Sequence, residues 1–495
     1  MITANYAMFL ALFLPASVVL LLGALREFPG VRDAVHIGTA VVTFGLVVLL
    51  LVDFLHGDIA HLFLFEVMPG LPIYFVLEPL GLVFALLASG LWIAISVYAV
   101  GYMRSNGEEH QTRFAMFFTL AVAAALGIAF SGTLFTLFIF YEVLTLSTYP
   151  LVAHKGTAEA RKGARLYLTI LLSTSIGFFL PAIIWVWVST GTMAFEAGGI
   201  LAGHLDPALA PVLLALFAYG IGKAALMPFH RWLPSAMVAP APVSALLHAV
   251  AVVKGGVFAL LKISVYIFGT GYLSTTHASV WLCWAAAISI IVAALIAMTK
   301  DDLKARLAYS TISQLAYVTL GVALANQMGM IGATMQIVMH AMAKITLFMC
   351  AGAIYVTAHK TKVSEMVGLG RRMPLTFAAF LIASLSIIGL PPMGGAWSKW
   401  FLILGSADAH QMAMIAVLGL GSLLSIGYLL PIAAKGFFLA PSNDGQGSGI
   451  QEASLMLLVP LCVTAIGCIV LFGFAPEIYN FLLHVPLLAP EGGAF

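Results

Sequence analysis

The stretch FIFYEVLTLSTYPL, residues 138–151, sets a carboxylate, Glu142, in the middle of an apolar run. A charged side chain at the centre of a bilayer costs about 2.5–3.5 kcal/mol on insertion scales, so such a group faces protein or water and is functional by default. The run therefore reads as a membrane helix that retains an acid for a purpose. Its surroundings agree. Of 495 residues, 62% are hydrophobic and 8% charged, and the mean hydropathy is +1.07. Apolar segments of about twenty residues, the length that spans a hydrocarbon core, recur along the chain. About fourteen are predicted, centred near residues 15, 45, 87, 122, 141, 177, 217, 251, 289, 315, 343, 383, 422 and 464. No polar stretch is long enough for a soluble domain. The expected class is an all-α integral membrane protein.

The basic residues set the orientation. Lys223, Lys254, Lys262, Lys344 and Lys399 fall inside predicted segments. Every other Lys and Arg falls in alternate connections, at 26–32, 104–113, 155–165, 231, 300–306, 360–372 and 435. The opposite connections carry Asp53, Asp58, Glu66, Glu196, Asp206 and Asp408 and no basic residue. The positive-inside rule makes the basic connections cytoplasmic. Both termini are then expected outside, which requires an even number of helices. The net charge of +2 is spread over short loops, so it signals topology and anionic lipid rather than nucleic acid. The N-terminal MITANYAMFLALFLPASVVLLLGAL has no basic residue ahead of its apolar stretch and reads as a retained first helix, not a signal peptide. Cys283, Cys350, Cys462 and Cys468 lack metal-ligand spacing and read as small buried apolar residues. No metal site is expected.

Few ionisable groups remain at membrane depth: Glu142, Lys223, His248, Lys254, Lys262, His340, Lys344 and Lys399. The bland reading is helix association by buried salt bridges. It suits one pair and suits a whole series poorly, because each further group multiplies the insertion cost. Lys223, in YGIGKAALMPFHRWLP on the seventh segment, is the natural partner for Glu142. Attraction between opposite charges favours both ionised forms, and desolvation favours both neutral ones. A lysine balanced between the two can release or take a proton. The eighth segment, LLHAVAVVKGGVFALLK, carries His248, Lys254 and Lys262. His248 falls on a different face from Lys254, and a lone helical histidine is often structural. Lys262 is expected near the outer end, where it can snorkel. In MQIVMHAMAK, Gln336, His340 and Lys344 recur at intervals of four and stack along one helix face, as a proton wire requires. In IIGLPPMGGAWSKWFLIL, Pro391, Pro392, Gly394 and Gly395 must break the twelfth segment just before Lys399. The seventh, with Lys223 and Pro228, has the same ingredients. Two broken helices with buried lysines suggest a duplicated unit.

Five pieces, in this order, resemble the antiporter-like subunits shared by Mrp-type cation/proton antiporters, respiratory complex I and membrane-bound hydrogenases. They are FIFYEVLTLSTYPLV, KAALMPFHRWLPSAMVAPAPVSALLHA, DDLKARLAYSTISQLAY, HAMAKITLF and GLPPMGGAWSKW. The resemblance implies fourteen helices and two inverted five-helix repeats with helices seven and twelve broken. Helices one to three occupy 1–110, the repeats 111–268 and 269–440, and helix fourteen and a tail 441–495. It also implies roles in proton translocation. Glu142 and Lys223 match the family's ion pair, Lys254 its central lysine and His248 a histidine of some members. His340 and Lys344 match its relay on helix eleven, and Lys399 its terminal residue. His230 matches a family histidine near the first break, where packing is an equal reading. Gln336 stands where some members have histidine, and Ala241 where threonine is common. These choices, and a chain that stops soon after helix fourteen, best fit the Mrp D-type subunit or a close relative of it.

The expected function is proton translocation within a multisubunit complex of a bacterial or archaeal cytoplasmic membrane. Other membrane subunits are its partners, and Na+ or K+ is the counter-ion. No motif for a flavin, nucleotide, haem or iron–sulfur cluster is visible, so no cofactor is expected in this chain, and redox chemistry would belong to partners. A complex I-like or hydrogenase pump and a partner of a bicarbonate-uptake protein are alternatives of similar sequence. A stand-alone solute transporter would need polar specificity groups around a cavity rather than a line of Lys and His. A scaffold that has lost transport would not keep Glu142, Lys223, Lys254 and Lys399 together.

Overall fold

A computed structural model describes residues 3–439 and 449–485. The second-repeat boundary expected at 440–441 and the end of the C-terminal tail lie outside the described residues. Among the described residues, eleven helices are long and apolar enough to cross a membrane. They are α1 (Ala4–Ala24), α2 (Pro29–Leu55), α3 (Pro79–Ser105), α4 (Gln111–Phe130), α5 (Leu134–Val152), α6 (Ala158–Thr190), α8 (Ala241–Phe268), α9 (Val280–Thr299), α11 (Gln327–Ala358), α13 (Met412–Phe438) and α14 (Leu455–Gly473). Three more segments lie between them. These are α7 (Pro207–Gly220), the more polar α10 (Leu303–Ala323), and α12, split into α12a (Pro374–Ile388) and α12b (Gly395–Asp408). Local signals set many starts. Thr133, Thr157, Asp302 and Asn326 each accept a backbone N–H of the first turn of α5, α6, α10 and α11. Pro29, Pro79 and Pro374 open α2, α3 and α12a, where a missing N–H leaves nothing unsatisfied.

Burial separates a centre from a periphery. All of the apolar window of α8 and 94% of that of α11 are buried, against 28% for α1 and 33% for α13 and α14. The centre is therefore made by α8 and α11, the two helices that carry His248, Lys254, His340 and Lys344.

The expected breaks are present. After α7 the chain makes a tight turn at Gly222–Ala224, Ala225 adopts a left-handed conformation, and the Met227–Pro228 bond is cis. After α12a, Gly389 is left-handed and the Pro391–Pro392 bond is cis before α12b resumes at Gly395. Gly395 is obligatory: a Cβ there would lie 1.9 Å from the Ser386 carbonyl oxygen. Two wider π-type turns interrupt α8, at Leu246–Val250 and Ser264–Phe268, and such bulges collect at functional sites.

Hydropathy does not signal the one hairpin among the described residues, β1 (His61–Met68) with β2 (Leu71–Val76), antiparallel and turned at left-handed Gly70. It is tied to the α4–α5 linker. Gly132 N–H donates to Tyr74 O at 2.8 Å, and Tyr74 N–H donates to Thr136 Oγ1 at 3.1 Å.

Candidate functional site

Glu142 lies on α5, and both of its carboxylate oxygens are buried with no hydrogen-bond partner among the described residues. Lys223, fully buried in the turn after α7, reaches the same face of α5. Its Nζ donates to Tyr141 O at 2.8 Å and to Thr145 Oγ1 at 2.5 Å, and it lies 3.1 Å from the Tyr141 ring centre. The expected direct ion pair is therefore not formed. The amine holds the residue before Glu142 and the residue three beyond it, and the carboxylate is left without a protein donor. Native proteins rarely leave a buried polar atom in this condition, and a bound water or ion ordinarily serves it. Close approach of the break to α8 depends on Gly256, where a Cβ would lie 2.5 Å from the Lys223 carbonyl carbon.

At the centre, Lys254 on α8 meets His340 on α11, Nζ to Nδ1 at 2.5 Å. The other ring nitrogen of His340, Nε2, has no partner among the described residues. His248 sits in the first π turn of α8, where Ala251 N–H bonds to Leu246 O instead of continuing the α-helical ladder. Its ring packs 4.6 Å from that of Phe348, and both its nitrogens are likewise buried without partners. Three imidazole nitrogens thus lack a partner among the described residues at the junction of the two most buried helices.

The stripe on α11 is present, but its members engage different neighbours. Gln336 Nε2 donates to Gln314 Oε1 on α10 at 2.8 Å, and its Oε1 accepts from Ser398 on α12b at 2.6 Å. Lys344 donates to Leu307 O at 3.1 Å and to Ser310 Oγ at 2.7 Å, both on α10. Lys399 follows the second break and donates to Ile387 O at 2.9 Å, Ile388 O at 2.7 Å and Ser422 Oγ at 2.8 Å. Its amine satisfies the carbonyls that the end of α12a leaves unpaired, at the negative pole of that helix. His230 is half-buried after the first break, its ring 6.2 Å from that of Tyr309, with no bond to the other candidates.

This line of residues falls inside a sequence match to the family described as NADH:quinone oxidoreductase/Mrp antiporter, transmembrane, over residues 131–425. The chain belongs to that family. Among its relatives, the NADH-quinone oxidoreductase subunit N of Desulforudis audaxviator is 32% identical over 433 residues, covering 85% of each chain. A Na(+)/H(+) antiporter subunit from Alkalihalophilus pseudofirmus is 29% identical over 465 residues, which cover 85% of this chain and 55% of that one. A chain in the solved structure of the Mrp complex from a Dietzia species superposes with a TM-score of 0.83 at 23% identity, over 98% of both chains, and so shares the fold.

The matched residues contain every candidate, and Glu78, which lies outside them, overturns one expectation by pairing with Lys262. Lys262 does not snorkel. It is fully buried, ion-paired with Glu78 at 2.5 Å, and donates to Ser131 O at 2.6 Å and Ala129 O at 3.3 Å. The snorkelling argument assumed a lysine with only lipid beside it. Here the residue that begins α3 and the carbonyls that end α4 converge on the amine. Glu78 was overlooked because it directly precedes Pro79 and reads as a loop acid. Gln314, Ser310, Ser398 and Ser422 were also missed. The polar run STISQ, residues 310–314, inside a membrane segment was the available signal.

Proposed function

We propose that this chain is the proton-translocating subunit of a multisubunit membrane complex of the Mrp cation/proton antiporter type, in a bacterial or archaeal cytoplasmic membrane. Other membrane subunits are its partners, and Na+ or K+ moves against the proton. The proposal includes fourteen crossings, both termini outside, and two inverted repeats at 111–268 and 269–440. Protons pass Glu142 and Lys223, then Lys254 with His248, then His340 and Lys344, to Lys399, with Gln336 and His230 as auxiliary groups. Lys262 stays outside the route, because its amine is ion-paired with the Glu78 carboxylate.

The observation that carries this reading is the contact between Lys254 and His340, beside imidazole nitrogens that have no fixed partner. An amine against a neutral imidazole nitrogen can share one proton, and a ring with a free second nitrogen can pass it on. A static scaffold has no need of a lysine against a histidine at this depth, since a charged group at the bilayer centre costs about 2.5–3.5 kcal/mol. Lys223→Ala is expected to abolish cation-driven proton movement in vesicles while the complex still assembles. Wild-type transport in that variant would remove Lys223 from the route.

A second reading, a proton-pumping subunit of a complex I-like or hydrogenase complex, draws support from the 32% identity with a quinone oxidoreductase subunit N. Purification of the native complex separates the two. Small membrane subunits alone favour the antiporter, and a nickel or iron–sulfur module favours the pump.

A further inference from the structure

The second half of the axis has a gap. Lys344 and Lys399 bond to different neighbours, Lys344 to α10 and Lys399 to the end of α12a and to α13. Between them runs a set of hydroxyls: Ser310 and Ser422, which accept from the two amines, and Ser425 and Tyr428. Ser310 Oγ, which accepts from Lys344, donates to the Tyr428 hydroxyl at 3.1 Å. Tyr428 OH and Ser425 Oγ are 3.0 Å apart, and Ser425 donates onward to Gly421 O at 2.9 Å. One turn further along α13, Ser422 accepts from Lys399.

We propose that Ser310, Tyr428, Ser425 and Ser422 form a hydroxyl relay that carries protons between Lys344 and Lys399. The proposal rests on the route in the preceding subsection and supplies its last leg. Ser422, Ser425 and Tyr428 recur every three residues and so line one face of α13. Only a third of the apolar window of α13 is buried, and Ser425 and Tyr428 are fully buried within that share. A phenol that served packing alone would have no need of a serine on each side. The donors also run one way, from Lys344 through Ser310 to Tyr428. The charged Lys344 amine gives a proton to Ser310 Oγ as Ser310 passes its own to Tyr428. Tyr428 passes its proton to Ser425, and Ser425 turns its hydroxyl from Gly421 O and passes its own proton towards Ser422. Ser422 gives its proton to Lys399 when that amine is neutral. The charge thus leaves Lys344 and arrives on Lys399 before rotation of each hydroxyl resets the chain. The step from Ser425 to Ser422 spans about 4.5 Å along the helix axis, a gap that one water can bridge. Gly421 leaves room there for the Tyr317 hydroxyl, 2.3 Å from where a Cβ would stand, and that hydroxyl donates to Leu418 O at 3.2 Å.

The test uses the intact complex in proteoliposomes. Tyr428→Phe removes one oxygen and keeps the ring. The relay predicts proton movement slowed at least about ten-fold, with subunit composition and thermal midpoint unchanged. A fall in rate that merely tracks a fall in midpoint overturns it, because that pattern belongs to packing. Should Tyr428→Phe fail to assemble, Ser310→Ala carries the same expectation and is judged in the same way. Lys223→Ala, measured alongside, tests the underlying route. Wild-type rates for Tyr428→Phe beside an inactive Lys223→Ala overturn the relay and leave the route standing. Wild-type rates for Lys223→Ala overturn the route itself.

Discussion

Lys262 and Glu142 show how differently two buried charges can be treated. The Lys262 amine has three oxygen acceptors, one of them the Glu78 carboxylate, whereas the oxygens of Glu142 have none among the described residues. A satisfied buried pair holds structure, and removing one partner strands the other. Lys262→Met is therefore expected to destabilise the protein by about 3–5 kcal/mol, while the double change Lys262→Met with Glu78→Gln recovers most of the loss. Thermal unfolding of the solubilised complex measures both. A wild-type midpoint for Lys262→Met would show that the pair holds nothing. The two residues also mark a limit of sequence reading. Glu142 was legible because it interrupts an apolar run. Glu78 was not, because its partner lies far away in the chain and only folding brings them together.

Among the elements, the broken helices were the most legible, since Pro391–Pro392 and Pro228 cannot continue a helical ladder. What the breaks are packed against was not legible. Gly256 on α8 lets the turn bearing Lys223 approach within 2.5 Å of a Cβ position, and nothing in the local pattern distinguishes it from Gly255. Gly256→Val is expected to push that turn away from α8, displace Lys223 from Tyr141 and Thr145, and lower proton movement severely in an assembled complex. Vesicle assays on Gly256→Val beside Gly255→Ala decide this. Equal, near-normal rates would show that the close approach is incidental. The π turns of α8 were likewise unreadable. A helical wheel with uniform pitch assigns faces to His248 and Lys254, and the inserted residue changes them.

For the whole molecule, composition was a sufficient guide to class, since eleven helices pass on length and hydropathy alone. The polar α10 and the split α12 had to be read from context, because their Ser, Thr, Gln and Pro residues dilute the signal that identifies the others. The hairpin was invisible, being a short alternating stretch between two strong helices. The proposed orientation is testable at this scale. Asp206→Cys, in an acidic connection, should react with a membrane-impermeant maleimide in intact cells. Thr361→Cys, in a basic connection, should react only once the cells are opened. The reverse pattern would invert the topology.

The length of α11 has a mechanical consequence. Its 32 residues form one unbroken helix, about 48 Å long, so it overreaches a hydrocarbon layer of about 30 Å. Such a rod leans or projects, and its ladder has no weak rung at which to bend. Gln336, His340 and Lys344 therefore keep a constant spacing and can shift only together. If the proposed transport alternates between open and closed, the motion is expected in α6, α7, α8 and α12, whose ladders are already interrupted, against α11 as a fixed rail.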